Sequence, residues 1–155
     1  MISENAIDFR DALPSGGVLL GLDPGTKTIG TALCDPDWSF ATAGKTLPRT
    51  KFSQDKAALE ALIKARNVQG VVIGLPLNMD GSSGARAQAA RAFARNLGVL
   101  ELPILLWDER WSTAAAEREM IAQDFSRAKR ATRIDSHAAA IILQGAIDRL
   151  TGGIF

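Results

Sequence analysis

The chain has 155 residues, 46% of them hydrophobic and 23% charged, which fits one domain of common size with a substantial core. No apolar run approaches the roughly 20 residues of a membrane-spanning helix, and the acidic start Met1–Asn5 lacks the basic and apolar regions of a signal peptide. The net charge of +1 does not mark a nucleic-acid-binding protein, and the single cysteine excludes an intrachain disulfide. We therefore expect a cytoplasmic protein without membrane contact.

The first half of the chain predicts a short helix followed by three strands. Apolar residues recur at helical spacing at Ile2, Ala6, Phe9 and Leu13. Residues 1–17 are therefore expected to form an N-terminal helical extension that packs on a domain formed by residues 18–155. The continuous apolar run Val18–Asp23 predicts a central strand, and the turn Pro24–Lys27 leads back into a strand at Ile29–Cys34. A third strand is expected over Phe40–Leu47.

The second half predicts helices that alternate with strands. A helix capped by Ser53 precedes a β-branched strand at Val68–Ile73. Residues 74–84 form a glycine-containing loop whose Ser82 or Ser83 is expected to cap the following helix. The remaining predicted elements are a strand at Pro103–Trp107 and helices over about Ser112–Gln123 and Asp135–Leu150. This order predicts an α/β fold with a mixed five-stranded sheet flanked by helices, which by analogy is the ribonuclease-H-like arrangement.

Three acidic residues lie where predicted elements end or begin. Asp23 closes the first sheet strand, Glu109 follows the last strand, and Asp135 opens the last helix. Open α/β sheets place their ligand sites at such strand ends. Carboxylates brought together repel one another unless a cation joins them, and hard oxygen ligands select Mg²⁺ or Mn²⁺. Although each acid alone could be a turn or cap residue, the three together predict a two-metal site for in-line phosphoryl displacement.

Four segments of the chain, in order, resemble the motifs of a known family. They are Gly21–Gly30, Val72–Gly81, Asp108–Arg110 and Ile134–Leu143. Together they are similar to the YqgF (RuvX) family of bacterial pre-16S ribosomal RNA nucleases, whose members are also described as Holliday junction resolvases. The resemblance implies a ribonuclease-H-like fold and catalytic, metal-binding carboxylates at Asp23, Glu109 and Asp135. Thr28 departs from the family pattern, which often has a basic residue there.

The positions of the acids suggest a role for each of them. Asp23, on the central strand, is expected to bridge two Mg²⁺ or Mn²⁺ ions, with Glu109 and Asp135 each completing the shell of one ion. Asp108 is the alternative to Glu109, because successive strand residues point to opposite faces and the sequence does not say which faces Asp23. His137 lies off the helix face of Asp135, so a surface or packing role is favoured over a proton shuttle.

Candidate substrate contacts lie close to these acids. They are Lys27, Asn78, Arg110, Arg130 and Arg133. Lys27 and Arg110 could hold the scissile phosphate or could be ordinary surface cations. The segment 126–133 holds four cations and no acid directly before Asp135, so phosphate binding is favoured there over a solvated face.

The favoured function is a nuclease that processes the 5′ end of pre-16S ribosomal RNA, with branched DNA as an alternative substrate. A domain that binds RNA without cutting it is the competitor from another class, and the presence of all three acids argues against it. Asp23–Thr26 also resembles the phosphate loop of actin-like proteins and sugar kinases, whose fold needs two such domains. Gly44–Thr46 is not a P-loop, because Pro48 follows where a helix should begin. Metal identity, cut polarity and oligomeric state are left open.

Overall fold

The computed structural model describes residues 1–14, 16–111 and 127–152, with side chains for all of these except 111 and 127–136. The strands are β1 (Ile2–Ser3), β2 (Val18–Pro24), β3 (Thr28–Cys34), β4 (Ala41–Ala43), β5 (Leu47–Pro48), β6 (Val68–Leu75) and β7 (Ile104–Asp108). The α-helices are α1 (Ala6–Asp11), α2 (Phe52–Arg66), α3 (Ala85–Leu97) and α4 (Arg127–Leu150). Single turns of 3₁₀-helix cover Gly98–Leu100 and Glu109–Trp111.

Within these residues, seven strands form one mixed sheet in the order β1-β7-β6-β2-β3-β4, and β5 also pairs with β3. Strand β2 is antiparallel to β3 and parallel to β6, and β6 is parallel to β7. Because β2, β6 and β7 run in the same direction, their carboxyl ends meet at one edge of the sheet. We call this the carboxyl edge, and Asp23, Gly74 and Glu109 lie along it.

Two apolar layers cover the two faces of the sheet. Alternate strand residues divide between them, because successive side chains of a strand point to opposite faces. Leu19, Val72 and Leu105 pack with residues of α1 and α4 on what we call the α4 face. Leu20, Val71 and Leu106 pack with residues of α2 and α3 on the α3 face. Covering both faces explains why the parallel strands read as continuous apolar runs.

The mixed sheet with flanking helices confirms the predicted fold class, although the strand count differs from five. Ile2–Ser3 pairs in parallel with β7, so α1 is shorter than the helix predicted over residues 2–13. The third predicted strand is divided into β4 and β5, each of which pairs with β3. The division follows from Thr31, whose hydroxyl donates to the carbonyl oxygen of Lys45 at 2.6 Å and holds the backbone between the two strands.

The start of α2 differs from the predicted serine cap. The helix begins at Phe52, and Lys51 in the capping position makes no side-chain cap hydrogen bond, so the predicted cap at Ser53 is wrong. The buried carboxylate of Asp55 instead accepts hydrogen bonds from the backbone and hydroxyl of Thr50, at 3.0 Å and 2.7 Å to Oδ1. This contact across the first turn fixes the start of the helix.

The starts of α3 and α4 also differ from the predictions. Gly84 precedes α3 without a side-chain cap, so the expected cap at Ser82 or Ser83 is wrong. The described part of helix α4 is Arg127–Leu150, and Asp135 therefore lies inside the helix rather than at its start. The helix predicted over 112–123 lies outside the described residues. No described helix has the length and apolar character needed to cross a membrane.

Helix α4 packs directly on the central strand β2. A Cβ atom at Gly21 would lie 2.8 Å from Cβ of Leu143 and 3.1 Å from the carbonyl oxygen of Ala139. Real Cβ atoms do not approach this closely, so glycine at this position permits the contact. Near the other end of α4, the guanidinium of Arg10 donates to the carbonyl oxygen of Leu150 at 3.5 Å. These contacts set the helix lengthwise on the α4 face.

Candidate active site

Asp23 and Glu109 lie on the same face of the sheet at its carboxyl edge. Asp23 follows Gly21 by two residues on β2, so strand alternation places it on the α4 face. Glu109 begins the single 3₁₀ turn that follows β7. Their exposed fractions are 5% and 8%, and Asp55 is the other buried charged residue among those whose burial is described. The contact of Asp55 with Thr50 accounts for the burial of Asp55 at the start of α2, away from the carboxyl edge.

Gly74 provides the space in which the carboxylate of Glu109 lies. Strand β6 runs between β2 and β7, with Leu22 opposite Ile73 on one side and Trp107 opposite Gly74 on the other. A Cβ atom at Gly74 would lie 3.3 Å from both Cδ and Oε2 of Glu109. The carboxylate of Glu109 therefore lies over Gly74, on the side of its own strand that faces β2.

Asp108 lies on the opposite face and is bound by an arginine. Leu106 packs in the core of the α3 face, so alternation places Asp108 on that face also. Arg110 donates from Nε to both carboxylate oxygens of Asp108 at 3.1 Å, and from Nη2 to Oδ2 at 2.7 Å. The hydrogen bonds to Asp108 raise the pKa of Arg110 above its usual value. Glu109 and not Asp108 therefore shares a face with Asp23.

The third predicted acid lies in the part of α4 whose side chains are not described. This applies to Asp135 and to two predicted substrate contacts, Arg130 and Arg133. The backbone places position 135 one helical turn before Ala139, which contacts β2 at Gly21. Among the side chains that are described, no group of three His, Cys, Asp or Glu residues is arranged to hold a metal ion. His137 is exposed, as expected of a surface histidine.

The donor atoms at the carboxyl edge fit a hard divalent cation. Asp23 and Glu109 are both buried on one face, where a bound cation would offset their mutual repulsion and desolvation. The glycine at position 74 leaves room for a carboxylate where a larger residue would displace it. Carboxylate oxygens are the ligands preferred by Mg²⁺ and Mn²⁺.

The loop of residues 76–84 is held together by its own polar side chains. Asn78 donates from Nδ2 to the hydroxyl of Ser82 at 2.9 Å, and Asp80 accepts from the backbone and hydroxyl of Ser82 at 2.9 Å and 2.6 Å. The bonds from Ser82 lower the pKa of Asp80. Arg110 donates to the carbonyl oxygen of Met79 at 3.3 Å, which ties the loop to the end of β7. Asn78 and Arg110, predicted as substrate contacts, thus also shape this loop.

A cleft of about 370 Å³ opens beside Asp23 at the carboxyl edge. Its walls are the turn of residues 24–28 and the first turns of α3, and Gly74 and Pro76 lie between them. Lys27, a predicted substrate contact, lines this cleft and is exposed. Arg110, another predicted substrate contact, is not among the residues that line this cleft.

Two further arginines, Arg49 and Arg86, line the cleft and were not predicted from the sequence. Arg49 follows β5 and reaches the cleft only because that strand pairs with β3. No local pattern marks it. Arg86 lies in the first turn of α3, which contains no acidic residue. Since a helix N-terminus favours negative charge, a cation in this turn is a signal that could have identified Arg86.

A family model and two related proteins each match most of this chain. The family model described as "RuvX: Holliday junction resolvase" matches residues 17–149. A protein of Novosphingobium aromaticivorans named "Putative pre-16S rRNA nuclease" is 68% identical over 155 residues and is covered completely, as is this chain. A protein of Sphingopyxis alaskensis with the same name is 66% identical over 151 residues, which cover 97% of this chain and 99% of the relative.

Comparison with solved structures supports the ribonuclease-H-like fold. RuvC of T. thermophilus in complex with a Holliday junction substrate matches with a TM-score of 0.58 at 15% identity, over 88% of this chain and 96% of that chain. The yeast mitochondrial Holliday junction resolvase matches with a TM-score of 0.51 at 12% identity, over 94% of this chain and 84% of that chain. At these identities the likeness establishes the fold, and it confirms the predicted architecture.

Proposed function

The chain belongs to the RuvX family, and from this membership we propose that it is a metal-dependent nuclease whose reaction takes place at the carboxyl edge. The observation that carries the proposal is the burial of Asp23 and Glu109 on one face of the sheet, beside the space left by Gly74. The name shared by the relatives supports pre-16S ribosomal RNA as the substrate. Cleavage at the 5′ end of this RNA is part of our proposal. Ribosomal RNA processing in bacteria assigns the protein to the cytoplasm.

Asp23, Glu109 and Asp135 are the residues that would hold Mg²⁺ or Mn²⁺. Two such ions, when bound, activate a water molecule and stabilise the leaving oxygen of a phosphodiester. Asp23 would be the central ligand of this metal site because it lies on the central strand, and Glu109 and Asp135 would complete it. The packing of α4 supports Asp135, since position 135 is one turn from Ala139, and Ala139 contacts β2 two residues before Asp23.

The chain's own contribution to the reaction is to position and neutralise the substrate. The burial of Asp23 and Glu109 keeps their charges in a poorly solvated site, where electrostatic interactions are strong. We assign Lys27 to the scissile phosphate, because it lines the cleft beside Asp23. Arg110 and Asn78 are assigned to the substrate on the side of the loop. Arg130 and Arg133, in the first two turns of α4, are assigned to the flanking backbone.

Two alternatives are kept for specific reasons. The family description favours a second substrate, a branched DNA junction, which the same chemistry would cut. A module that binds nucleic acid without cutting it is the alternative from another class. It predicts that Mg²⁺ or Mn²⁺ leaves the melting temperature unchanged, whereas a metal-binding site raises it.

The test is cleavage of two labelled substrates, a pre-16S 5′-leader RNA and a four-way DNA junction, each with Mg²⁺, Mn²⁺ or EDTA. We expect metal-dependent cutting by the wild-type chain that is lost in Asp135→Asn. Asp148→Asn is the matched control, because Asp148 is an exposed aspartate near the far end of the same helix. Absence of cutting of both substrates by folded wild-type protein would contradict the catalytic proposal and favour the binding module. The preferred substrate decides between RNA processing and junction resolution.

A further inference from the structure

We propose that the cleft beside Asp23 extends the substrate site, with Arg49 and Arg86 contacting the phosphates next to the scissile phosphate to which Lys27 is assigned. The inference rests on the proposed function in one respect, namely that the bound polymer is a nucleic acid. It goes beyond that function by assigning Arg49 and Arg86 to phosphate binding. It also directs the bound nucleic-acid strand from the scissile bond towards α3.

The charges that line the cleft favour a polyanion. Lys27, Arg49 and Arg86 come from three separate elements, namely the β2–β3 turn, the segment after β5 and the first turn of α3. Asp23 is the one acidic residue among those that line the cleft. Phosphate contacts supply most of the binding energy that is independent of nucleic-acid sequence, and cations from separate elements of the fold can contact successive phosphates.

Contacts with the described residues do not explain the position of Arg86. Among the described residues, no hydrogen bond or ion pair engages the side chain of Arg86, which is exposed at the cleft. Arg91, farther along the same helix, instead donates to Ser83 and forms an ion pair with Glu4 at 3.4 Å. The positive end of α3 disfavours a cation in its first turn, and an anion in the cleft would remove this cost.

Two hydrogen bonds hold Arg49 against the turn that carries Lys27. Its Nη1 donates to the carbonyl oxygen of Gly25 at 2.6 Å, and its backbone N–H donates to the carbonyl oxygen of Lys27 at 2.9 Å. The guanidinium carbon lies 5.1 Å from the centre of the Phe93 ring, within the range of a cation–π contact. Because a guanidinium has five N–H donors, the bond to Gly25 leaves donors for a phosphate. Arg49 is thus both a positioning residue for the turn and a preorganised cation.

The test measures how binding of a single-stranded leader RNA depends on salt. Fluorescence anisotropy with the full chain in EDTA, between 50 and 200 mM KCl, gives the slope of log K against log salt without cleavage. This slope is negative, and loss of one phosphate contact reduces its magnitude by about 0.7. A lower slope therefore means a weaker dependence of binding on salt. We expect Arg86→Gln to lower the slope by about this amount, and the double variant with Lys27→Gln to lower it by about twice as much. Arg95→Gln, an exposed arginine of α3 outside the cleft, is the matched control and should leave the slope unchanged.

A second pair of variants separates charge from structure at Arg49. Arg49→Lys keeps the charge and should keep the salt slope of the wild type, whereas Arg49→Gln should lower it even when both variants melt at the same temperature. In cleavage assays, Arg86→Gln should raise KM about fivefold and leave kcat unchanged, as expected for a binding residue.

Equal slopes for wild type, Arg86→Gln and Arg95→Gln would overturn the inference. If these salt slopes are equal but the wild type still cuts RNA with metal, the proposed phosphate subsite is wrong. The nuclease proposal then still stands. If the slope falls in Arg86→Gln but no metal supports cutting, the subsite stands and the nuclease proposal fails.

Discussion

The two faces of the sheet meet at the carboxyl edge with opposite arrangements of charge. On the α4 face, Asp23 and Glu109 are buried beside a glycine. On the side of α3, the cleft beside Asp23 is lined by Lys27, Arg49 and Arg86. Asp108, which points to the α3 face, is bound by Arg110. Asp108 and Glu109 are neighbours in the chain, so the path of the backbone at the end of β7 is enough to place them on different faces. On our proposal, the chemistry takes place on the α4 face, and the cleft towards α3 contributes to substrate binding.

The largest effect is expected where the α4 face loses a carboxylate. Asp23→Asn keeps the size of the side chain but removes the charge of the proposed central metal ligand. We expect single-turnover cleavage to fall by about 10³-fold or more, equivalent to about 4 kcal/mol in the barrier. The rise in melting temperature on adding Mg²⁺ should disappear in the same variant. Asp37→Asn, at an exposed position away from the edge, is the control, and a wild-type rate in Asp23→Asn would contradict the assignment of the faces.

The next effect is expected when the space beside Glu109 is filled. In Gly74→Ala the new Cβ would lie 2.6 Å from Cδ1 of Ile142 and 3.3 Å from the carboxylate of Glu109. Overpacking of this kind costs about 1–3 kcal/mol of stability, and displacing the carboxylate should lower kcat about tenfold. Urea unfolding and cleavage rates measure the two effects separately.

A second substitution distinguishes crowding from the displacement of Glu109. Adding Ile142→Val to Gly74→Ala removes Cδ1, so stability should recover while kcat stays low. Gly98→Ala is the control, because nothing lies within 4 Å of its Cβ position and its φ of −55° suits alanine. Full recovery of both stability and kcat in the double variant would show that Glu109 was not displaced.

On the opposite face, loss of Arg110 should affect binding more than the chemical step. Arg110→Ala removes the hydrogen bonds to Asp108 and to the carbonyl oxygen of Met79, and so releases the loop of residues 76–84. We expect faster amide exchange at Ser82 and a KM about tenfold higher, with a smaller change in kcat. Unchanged exchange at Ser82 would show that the loop is held without Arg110.

The smallest expected effect is the loss of stability of the loop of residues 76–84 at low pH. The pKa of Asp80 is lowered chiefly by the hydroxyl of Ser82, and also by the backbone of Ser82 and the charge of Arg110. The ionised carboxylate therefore stabilises the loop at pH values above the ordinary aspartate pKa of about 3.9, and this stabilisation is lost as the pH falls through the lowered pKa. The amide signal of Ser82 should titrate below about pH 3.9 and should stop titrating in Asp80→Asn. A midpoint at or above the ordinary value would contradict these contacts.

The sequence predicted those parts of the fold that local patterns determine. The apolar runs that became β2 and β6 were identified because a strand buried on both faces reads as a continuous apolar segment. β1 was missed because Ile2–Ser3 is a strand only through its pairing with β7, far along the chain. The start of α2 was misplaced because the helix begins without a side-chain cap and is held by the contact of Asp55 with Thr50, which precedes the helix.

The candidate site was predicted where residues adjoin a motif and missed where the tertiary structure assembles it. Asp23 and Glu109 could be predicted because each lies at the end of a recognisable strand. The choice between Glu109 and Asp108 required the register of β7, since alternation separates the two but does not orient them. Arg49 could not be found, because only strand pairing brings it to the turn that carries Lys27.

The most direct test of the account compares two neighbouring carboxylates under identical conditions. Single-turnover cleavage of the leader RNA with Mg²⁺ is measured for wild type, Glu109→Gln and Asp108→Asn at equal folded fractions. The account predicts that Glu109→Gln loses about 10³-fold in rate, whereas Asp108→Asn stays within about tenfold of the wild type. Equal losses in the two variants, or a larger loss in Asp108→Asn, would contradict the division of the carboxyl edge into a chemical face and a binding face.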